Sequence, residues 1–293
     1  MSAPRVRPLD PFDRRALQGL LEREPEANLF LLATLRDLGL RPSLDSSWWA
    51  AFRDDALVSA CWLARGRPDP EPARVDGLAV PCGEAAPCEE IGRRLTEESP
   101  PRMVIGARGP SDALWRGLGS PLTRAWYDQR LLVLRQPSPG RRLPLRRALP
   151  TEWALVSEMS ARMMQEDLGE DPRLRNLEGH LRRVRERIGR GAILLGEQDG
   201  AVVFKLDLGS RGPEGVQVGG TWVPPAARGR GVATAGMRAA GDLLVPRHGW
   251  VSLHLNEANA PAMGAYLRAG FEQGAPFRLA IRAEAGNPES PAA

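Results

Sequence analysis

A short segment rich in arginine and glycine holds the residues best suited to bind an anion. It reads PPAARGRGVATAGM and covers positions 224–237. Gly229 and Gly231 carry no Cβ, so the backbone around them can approach a ligand closely. Small, helix-compatible residues follow, and the first N–H groups of a helix lack helical partners and carry a partial positive charge. The segment therefore predicts a phosphate-binding loop at the start of a helix.

Two common nucleotide-binding motifs do not fit this loop. Nucleoside-triphosphatases use GxxxxGK[ST], which the chain does not contain. The dinucleotide fingerprint GxGxxG is incomplete, because Thr234 stands where its third glycine belongs. The strands before the loop also read as hairpins, whereas the fingerprint opens a parallel βαβ unit. Both ligand classes are therefore poor matches.

A second patterned segment follows further along the chain, directly after a predicted strand. It reads NAPAMGAYLRAGF and covers positions 259–271. The loop has the pattern Arg-x-x-Gly-x-Ala, and this segment has Asn-x-x-Ala followed by Tyr-x-x-x-Gly-Phe. In this order, the two patterns resemble those of the GNAT acetyltransferases (Gcn5-related N-acetyltransferases), over residues 143–285. Residues 21–40 and 163–172 further resemble a tandem-GNAT subgroup that carries a divergent domain ahead of the catalytic one.

The resemblance implies an acetyl-CoA site at the loop. Backbone N–H groups from Arg228 to Thr234 would hold the pyrophosphate, and the end of the preceding strand would pair with the pantetheine arm. A splayed strand pair would admit that arm, and Asn259 would either bond the cofactor or fix its own loop. The residues implied for cofactor binding are Trp222, Val223, Arg228, Gly229, Arg230, Gly231, Val232, Ala233, Thr234 and Asn259.

The resemblance also implies a proton donor, because Tyr266 matches the family position that protonates the departing thiolate. A phenol with a pKa near ~10 can protonate a thiolate whose thiol has a pKa of about 8.5. The attacking amine must lose a proton to a base, for which Glu166 is the first candidate and Asp207 the second. Two simpler interpretations stay open: Tyr266 could only pack its helix against the sheet, and the acidic cluster around Glu166 could be a solvated helix end.

The second half of the chain predicts the elements that position these residues. Residues 136–150 are rich in Pro, Gly and Arg and read as a linker. The linker runs into a strand from Leu143 to Ala148, after which the pattern gives two helices, three strands, a helix, a strand, a helix and a final one or two strands. The turn at Asp199 and Gly200 indicates a hairpin. One face of the second helix is expected to carry Leu174, Leu177, Leu181 and Val184.

The first half repeats this order of elements more weakly, which predicts an internal duplication. Aligning LAVP at 78–81 with TWVP at 221–224 places Pro87 within the counterpart of the phosphate loop. Pro87 has no N–H to donate, and neighbouring glutamates would repel a phosphate. Ala113 falls opposite Tyr266, so the counterpart also lacks the proton donor.

We therefore predict two tandem GNAT-like domains of the α/β class. Each has a central, mixed and mostly antiparallel sheet flanked by helices. The expected boundaries are 1–138 for a degenerate domain that binds no cofactor, 143–285 for the catalytic domain with its splayed acetyl-CoA site, and 286–293 for a tail. The degenerate domain is expected to cover the acceptor cleft.

Composition narrows the class of partner. The chain has 40 basic and 36 acidic residues, which are interspersed, so no nucleic-acid partner is expected. Lys205 is the only lysine and shares a strand face with Asp207, which predicts an ion pair. No apolar run reaches ~18 residues and no signal opens the chain, so we expect a cytoplasmic protein without a membrane span. The cysteines lack metal-ligand spacing, so no metal is expected.

The resemblance thus implies an acetyl-CoA-dependent N-acetyltransferase that acts on an amine of a small molecule, a peptide or a protein. Acidic residues near the expected cleft favour a cationic amine. An alternative from another class is an acyl-CoA-binding sensor without turnover, and a nucleic-acid-binding protein is a weaker alternative. The identity of the acceptor, the length of the acyl chain and the oligomeric state stay open.

Overall fold

The computed structural model describes residues 4–41, 43, 45–65, 77–98, 100–212 and 214–283. These residues divide into two compact units. Residues up to Arg130, together with Ala275 and those after it, form unit 1, and residues 131–274 form unit 2. Unit 1 is therefore built from separate stretches of the chain.

Both halves of the chain have the same order of helices and strands, which confirms the predicted duplication. In chain order, the first half contains β1 (Arg5–Pro8), α1 (Arg14–Leu21), α2 (Leu29–Leu38), β2 (Ser46–Arg53), β3 (Ala56–Ala64), β4 (Leu78–Gly83), α3 (Ala85–Glu98), β5 (Met103–Ala107), α4 (Arg108–Gly117) and β6 (Thr123–Leu134). The second half contains β7 (Leu145–Arg147), α5 (Trp153–Leu168), α6 (Pro172–Gly189), β8 (Ile193–Gln198), β9 (Ala201–Arg211), β10 (Gly215–Trp222), α7 (Val232–His248), β11 (Trp250–Asn256), α8 (Ala260–Ala269) and β12 (Glu272–Arg282).

In each unit, a parallel strand pair follows a run of antiparallel strands. The strand order in unit 1 is β1-β2-β3-β4-β5-β12-β6, and β4 runs parallel to β5. The strand order in unit 2 is β7-β8-β9-β10-β11-β6, and β10 runs parallel to β11. The parallel pair occupies the same place in both units, so the predicted mixed sheets are confirmed.

Two strands, β6 and β12, pass from one unit to the other. β6 enters unit 2 after Arg130, and β12 enters unit 1 after Gly274, where it pairs antiparallel with β5. The boundaries expected from the sequence, 1–138 and 143–285, assign all of β12 to the second half instead. Sequence patterning does not reveal which strand becomes a neighbour in the sheet, because that pairing is non-local.

Hairpin turns form where the sequence predicts them. Asp54 and Asp55 join β2 to β3 with φ of +48° and +62°, and Asp199 and Gly200 join β8 to β9 with φ of +53° and +76°. Positive φ at both central residues matches the right-handed twist of the flanking strands. These turns fix the register of the strands that follow.

Helices cover both faces of the unit 2 sheet, because alternate strand residues point to opposite sides. Leu194 on β8 packs in a cluster with residues of α7 and α8. Its neighbour Leu195 packs in a second cluster with residues of α5 and α6. The helices that carry the predicted phosphate loop and those that carry the acidic cluster therefore lie on opposite faces of one sheet.

Helix α6 is kinked near its start, so its predicted apolar face is wrong. Asn176 has φ of −158° and ψ of 92°, and its side-chain oxygen accepts a hydrogen bond from the Gly179 amide at 2.6 Å. Leu174 and Leu177, before and after the kink, are 88% and 51% exposed, whereas Val184 is buried. The kink rotates the first turn away from the core, which the helical period alone does not show.

No helix in the described part of the chain is long and apolar enough to span a bilayer.

Candidate active site

The predicted phosphate loop lies between β10 and α7 in unit 2. β10 ends at Trp222, a short 3-10 turn covers Pro225–Ala227, and α7 begins at Val232. Gly229 and Gly231 both have φ of +73°, in the left-handed region that favours glycine. If a Cβ were built at either glycine, no described atom beyond the residues next to it in sequence would lie within 4 Å. The loop is therefore open to a ligand.

The first backbone N–H groups of α7 have no partner within the helix. The Ala235 amide donates to the Gly231 carbonyl at 3.0 Å, so the amides of residues 232–234 precede the first helical bond. The Arg228 amide differs from the expectation, because it donates to the Pro225 carbonyl at 3.2 Å to close the 3-10 turn. The amides that can hold a phosphate therefore begin after Arg228.

The side chain of Arg228 points toward α5. Its Nε donates to the Val223 carbonyl at 2.9 Å, and its Nη2 contacts the Glu166 carboxylate at 2.7 and 2.9 Å. The guanidinium also lies 5.8 Å from the centroid of the Trp222 ring. Glu166, the first candidate base, is thus the ion-pair partner of the loop. Arg230 is exposed and forms no ion pair with the described residues, so it can contact a phosphate without first leaving a partner.

The described pairing of β10 with β11 ends before the loop. They pair in parallel from Gly215 to Gln217. Further along, β10 shifts its register against β9 between Gly219 and Trp222, and Gly220 has φ of +56°. The described pairing with β11 stops at Gln217 while β10 continues to Trp222. That the strands splay here to admit a cofactor stays a prediction.

Tyr266 lies on α8 and is only 6% exposed. Its ring centroid is 5.8 Å from that of Phe271. Burial raises the pKa of its phenol, and an interaction with the side chain of Thr221 on β10 opposes that rise. The nearby Asp167 carboxylate raises the pKa further. Tyr266 is therefore held as a neutral hydroxyl beside the end of β10.

A cavity of about 380 Å³ lies between α5, α6, β9 and β10 and is lined in part by Asp207. Asp207 Oδ1 is 2.6 Å from Lys205 Nζ, and its Oδ2 is 3.4 Å from Arg187 Nη2. Lys205 is fully buried, donates to the Gly220 carbonyl at 3.1 Å, and has a pKa lowered by burial. The predicted Lys205–Asp207 ion pair is confirmed. Asp207 faces the cavity, whereas Glu166 is not among its described lining residues.

Two further cofactor-site residues hold α8 in place. Asn259 caps α8, because its Oδ1 accepts a hydrogen bond from the Ala262 amide at 3.1 Å. Of the two roles expected for Asn259, this contact shows the one that fixes the loop. Thr234 on α7 donates from Oγ1 to the Ala265 carbonyl on α8 at 3.1 Å. The helix that starts at the loop is therefore joined to the helix that carries the phenol.

The corresponding positions in unit 1 have a different chemistry. α3 begins at Ala85 directly after β4, with Pro87 in its first turn. Glu84 pairs with Arg53 at 2.9 Å, and Ala113 on α4 is fully buried. A proline lacks an N–H donor, and an alanine has no proton to give. That unit 1 binds no cofactor stays a prediction.

Sequence reasoning missed the side chains that α6 presents to the cavity, which are His180, Arg183 and Arg187. His180 is buried, its Nε2 is 3.1 Å from Ser157 Oγ, and burial lowers its pKa. His180, Arg183 and Arg187 are three and four positions apart, and residues with this spacing share one face of a helix. The spacing could therefore have predicted that they lie together. Among the described residues, no group of three or more His, Cys, Asp or Glu is arranged to hold a metal ion.

The match to a known family falls on the part of unit 2 that holds these features. The model of the family described as "Acetyltransferase (GNAT) family" matches residues 161–271. Residues 161–271 belong to the GNAT family. This GNAT domain runs from α5 to Phe271 and contains the loop, the cavity and Tyr266. It is an acetyltransferase domain.

Solved structures share the fold beyond the GNAT domain. A GCN5-related N-acetyltransferase from Sphaerobacter thermophilus is 18% identical, with 96% of each chain covered and a TM-score of 0.61. A tandem GNAT protein from the clavulanic acid biosynthesis pathway is 16% identical, with 98% of this chain and 100% of that chain covered and a TM-score of 0.55. A GNAT-family acetyltransferase from Colwellia psychrerythraea is 11% identical, with coverages of 95% and 100% and a TM-score of 0.54. The chain has no match among curated protein sequences.

Proposed function

We propose that the GNAT domain transfers an acetyl group from acetyl-CoA to an amine. The observation that carries the proposal is the position of Tyr266, a buried phenol on α8 beside the end of β10. The described pairing of β10 with β11 ends at Gln217, before this end of β10, and the glycine loop follows β10. A positioned phenol can act as a general acid toward a leaving thiolate.

The loop and the gap fit acetyl-CoA. The amides of residues 232–234 and the positive end of α7 suit a pyrophosphate. The exposed guanidinium of Arg230 can add a charge-assisted hydrogen bond. The described pairing of β10 with β11 ends at Gln217, and backbone groups of β10 beyond it can pair with the amides of the pantetheine arm.

Bound acetyl-CoA would supply a thioester whose carbonyl carbon forms a C–N bond with the neutral amine as its C–S bond breaks. Tyr266 donates its hydroxyl proton to the departing sulfur, and the raised pKa of Tyr266 keeps that proton in place at neutral pH. The proton that the amine loses replaces the one given by Tyr266. The products are then an N-acetylated amine and the free thiol of CoA.

Of the two candidate bases, Asp207 is the better placed. Asp207 lines the cavity, and its Oδ2 lies close to the backbone of Gly220. A Cβ built on Gly220 would be 2.2 Å from this oxygen. Asp207 can therefore accept a hydrogen bond from an ammonium group bound beside the bulge in β10 and take the proton that this group loses before it attacks as a neutral amine. Glu166 is engaged by Arg228 instead.

Release of free CoA thiol, measured with acetyl-CoA and a broad panel of amines, tests the proposal. We expect thiol release that depends on the amine and a matching N-acetylated product by mass spectrometry. Calorimetric binding of acetyl-CoA without release across the panel would instead support the sensor alternative. Failure to bind acetyl-CoA at all would reject both.

A further inference from the structure

The charges that line the cavity between α5, α6, β9 and β10 are unbalanced. Arg183 and Arg187 line it, and Asp207 is the one carboxylate among its described lining residues. Asp207 is already paired with Arg187 and with the buried Lys205. The one carboxylate is therefore engaged by Arg187 and Lys205, and Arg183 adds a further positive charge to the lining.

Arg183 forms no ion pair with any described residue. Its pKa is lowered by desolvation and by the charge of Arg182, and the nearby Glu186 opposes this only in part. His180 does not supply a negative charge, and its pKa is lowered by burial. Arg183 is exposed and lines the cavity, and a guanidinium there without an ion-pair partner among the described residues favours the binding of an anion.

The shape of the cavity fits a small ligand with an apolar part. Met163, Met164, Val184 and Val218 form much of its wall. Its volume of about 380 Å³ lies near the lower end of the range for small-molecule sites, roughly 300–1,000 Å³. No residue of the phosphate loop lines it, so the anion that it favours is not the pyrophosphate of the cofactor.

We propose that the acceptor is a small amine that also carries a carboxylate, such as an amino acid, and that Arg183 and Arg187 bind this carboxylate. The inference rests on the transferase function proposed above. A guanidinium offers two parallel donors that match a carboxylate. The amine then lies toward Asp207 and Gly220, which precedes Thr221, the residue that interacts with Tyr266.

This arrangement places opposite charges where a zwitterion carries them, with the carboxylate at α6 and the ammonium at β9. It replaces the expectation of an acceptor that is only cationic. Two of the acidic residues behind that expectation are engaged by arginines, since Glu166 pairs with Arg228 and Asp171 with Arg173 at 2.6 Å.

The test compares acceptors that differ only in the anionic group. Alanine, methionine, phenylalanine and glutamate are assayed beside their carboxamides and decarboxylated amines, with 1-aminoethylphosphonate as the phosphonate analogue of alanine. For the best amino acid we expect kcat/KM about 10- to 100-fold above that of its carboxamide, as for loss of a hydrogen bond to a charged group. Arg183→Gln should reduce this preference about tenfold, mainly through KM. Arg182→Gln is the matched control, because Arg182 is exposed on the same helix and does not line the cavity.

Equilibrium binding separates this inference from the transferase proposal. Calorimetric titration of the same amino acid and carboxamide, with CoA present, should show a carboxylate preference that Arg183→Gln removes and Arg182→Gln keeps. If this binding preference is found but no acetylated product forms, the transferase proposal is rejected and the carboxylate site is still supported. Three results would overturn the carboxylate site. The first is turnover or binding that favours carboxamides and decarboxylated amines, and the second is a preference for the phosphonate over alanine. The third is the absence of turnover and binding for all of these compounds.

Discussion

Arg228 Nη2 lies 2.9 Å from Oε1 and 2.7 Å from Oε2 of Glu166, which joins the phosphate loop to helix α5. The two side chains are 45% and 44% exposed. An ion pair this accessible to water contributes at most about 1 kcal/mol to stability. A bound phosphate can therefore take over Arg228 at small cost, and Glu166 acts as a competitor for it.

We expect Glu166→Gln to tighten acetyl-CoA binding by up to about fivefold, because the competitor for Arg228 is removed. The value of kcat should stay unchanged, since Glu166 does not line the cavity. Calorimetry and steady-state kinetics measure the two effects. Glu158→Gln on the same helix is the control, because Glu158 pairs with Arg162 instead. A large fall in kcat with an unchanged affinity for acetyl-CoA would contradict this prediction and would indicate that Glu166 is the base.

We expect Tyr266→Phe to lower kcat about 100-fold, because the leaving thiolate loses its proton donor. The affinity for acetyl-CoA should change little. Tyr127→Phe is the control, since Tyr127 on β6 is the other tyrosine of the chain and lies in unit 1. Because the pKa of Tyr266 is raised, wild-type activity should not decline from loss of this proton below pH ~10. Equal kcat for Tyr266→Phe and the wild type would assign Tyr266 to packing alone.

We expect Lys205→Met to destabilise the protein by about 3 kcal/mol, since it removes one partner of a buried ion pair. Lys205 is fully buried, and its Nζ is 2.6 Å from Asp207 and 3.1 Å from the Gly220 carbonyl. The urea midpoint of unfolding measures this loss. Adding Asp207→Asn to Lys205→Met should recover part of it. Simple addition of the two single losses would show that the pair contributes nothing.

Stability should fall as the pH drops from about 6.5 toward 4, in part because of His254. Burial lowers the pKa of His254 to about 4, whereas in the unfolded chain it titrates near ~6.5. Between these values the unfolded chain binds a proton that the folded protein excludes, so acid favours unfolding. His254→Gln should therefore lose less stability than the wild type between pH 7 and pH 5, as measured by urea midpoints. A loss equal to that of the wild type would show that His254 does not contribute.

The sequence predicts those features that depend on neighbouring residues. The hairpin at Asp199 and Gly200 and the glycine loop before α7 form as expected, because turn chemistry and helix starts are local. The Lys205–Asp207 pair follows from strand alternation alone. Each of these depends on a few adjacent positions.

Features that depend on distant residues were not predicted. The Glu166–Arg228 pair joins side chains that are 62 positions apart in the chain. Which charged side chains of α6 line the cavity depends on the rotation of the helix, and the kink at Asn176 sets that rotation. The passage of β12 into unit 1 is likewise a matter of sheet pairing.

Because β6 and β12 each pair with strands of the other half, neither half of the gene can be deleted without removing a strand from the remaining half. Deleting the second half of the gene would take β12 from β5, and deleting the first would take β6 from β11. Neither copy can be lost or shuffled alone without exposing an unpaired strand edge. The second half therefore depends on a strand of the first half, even though the first half is predicted to bind no cofactor.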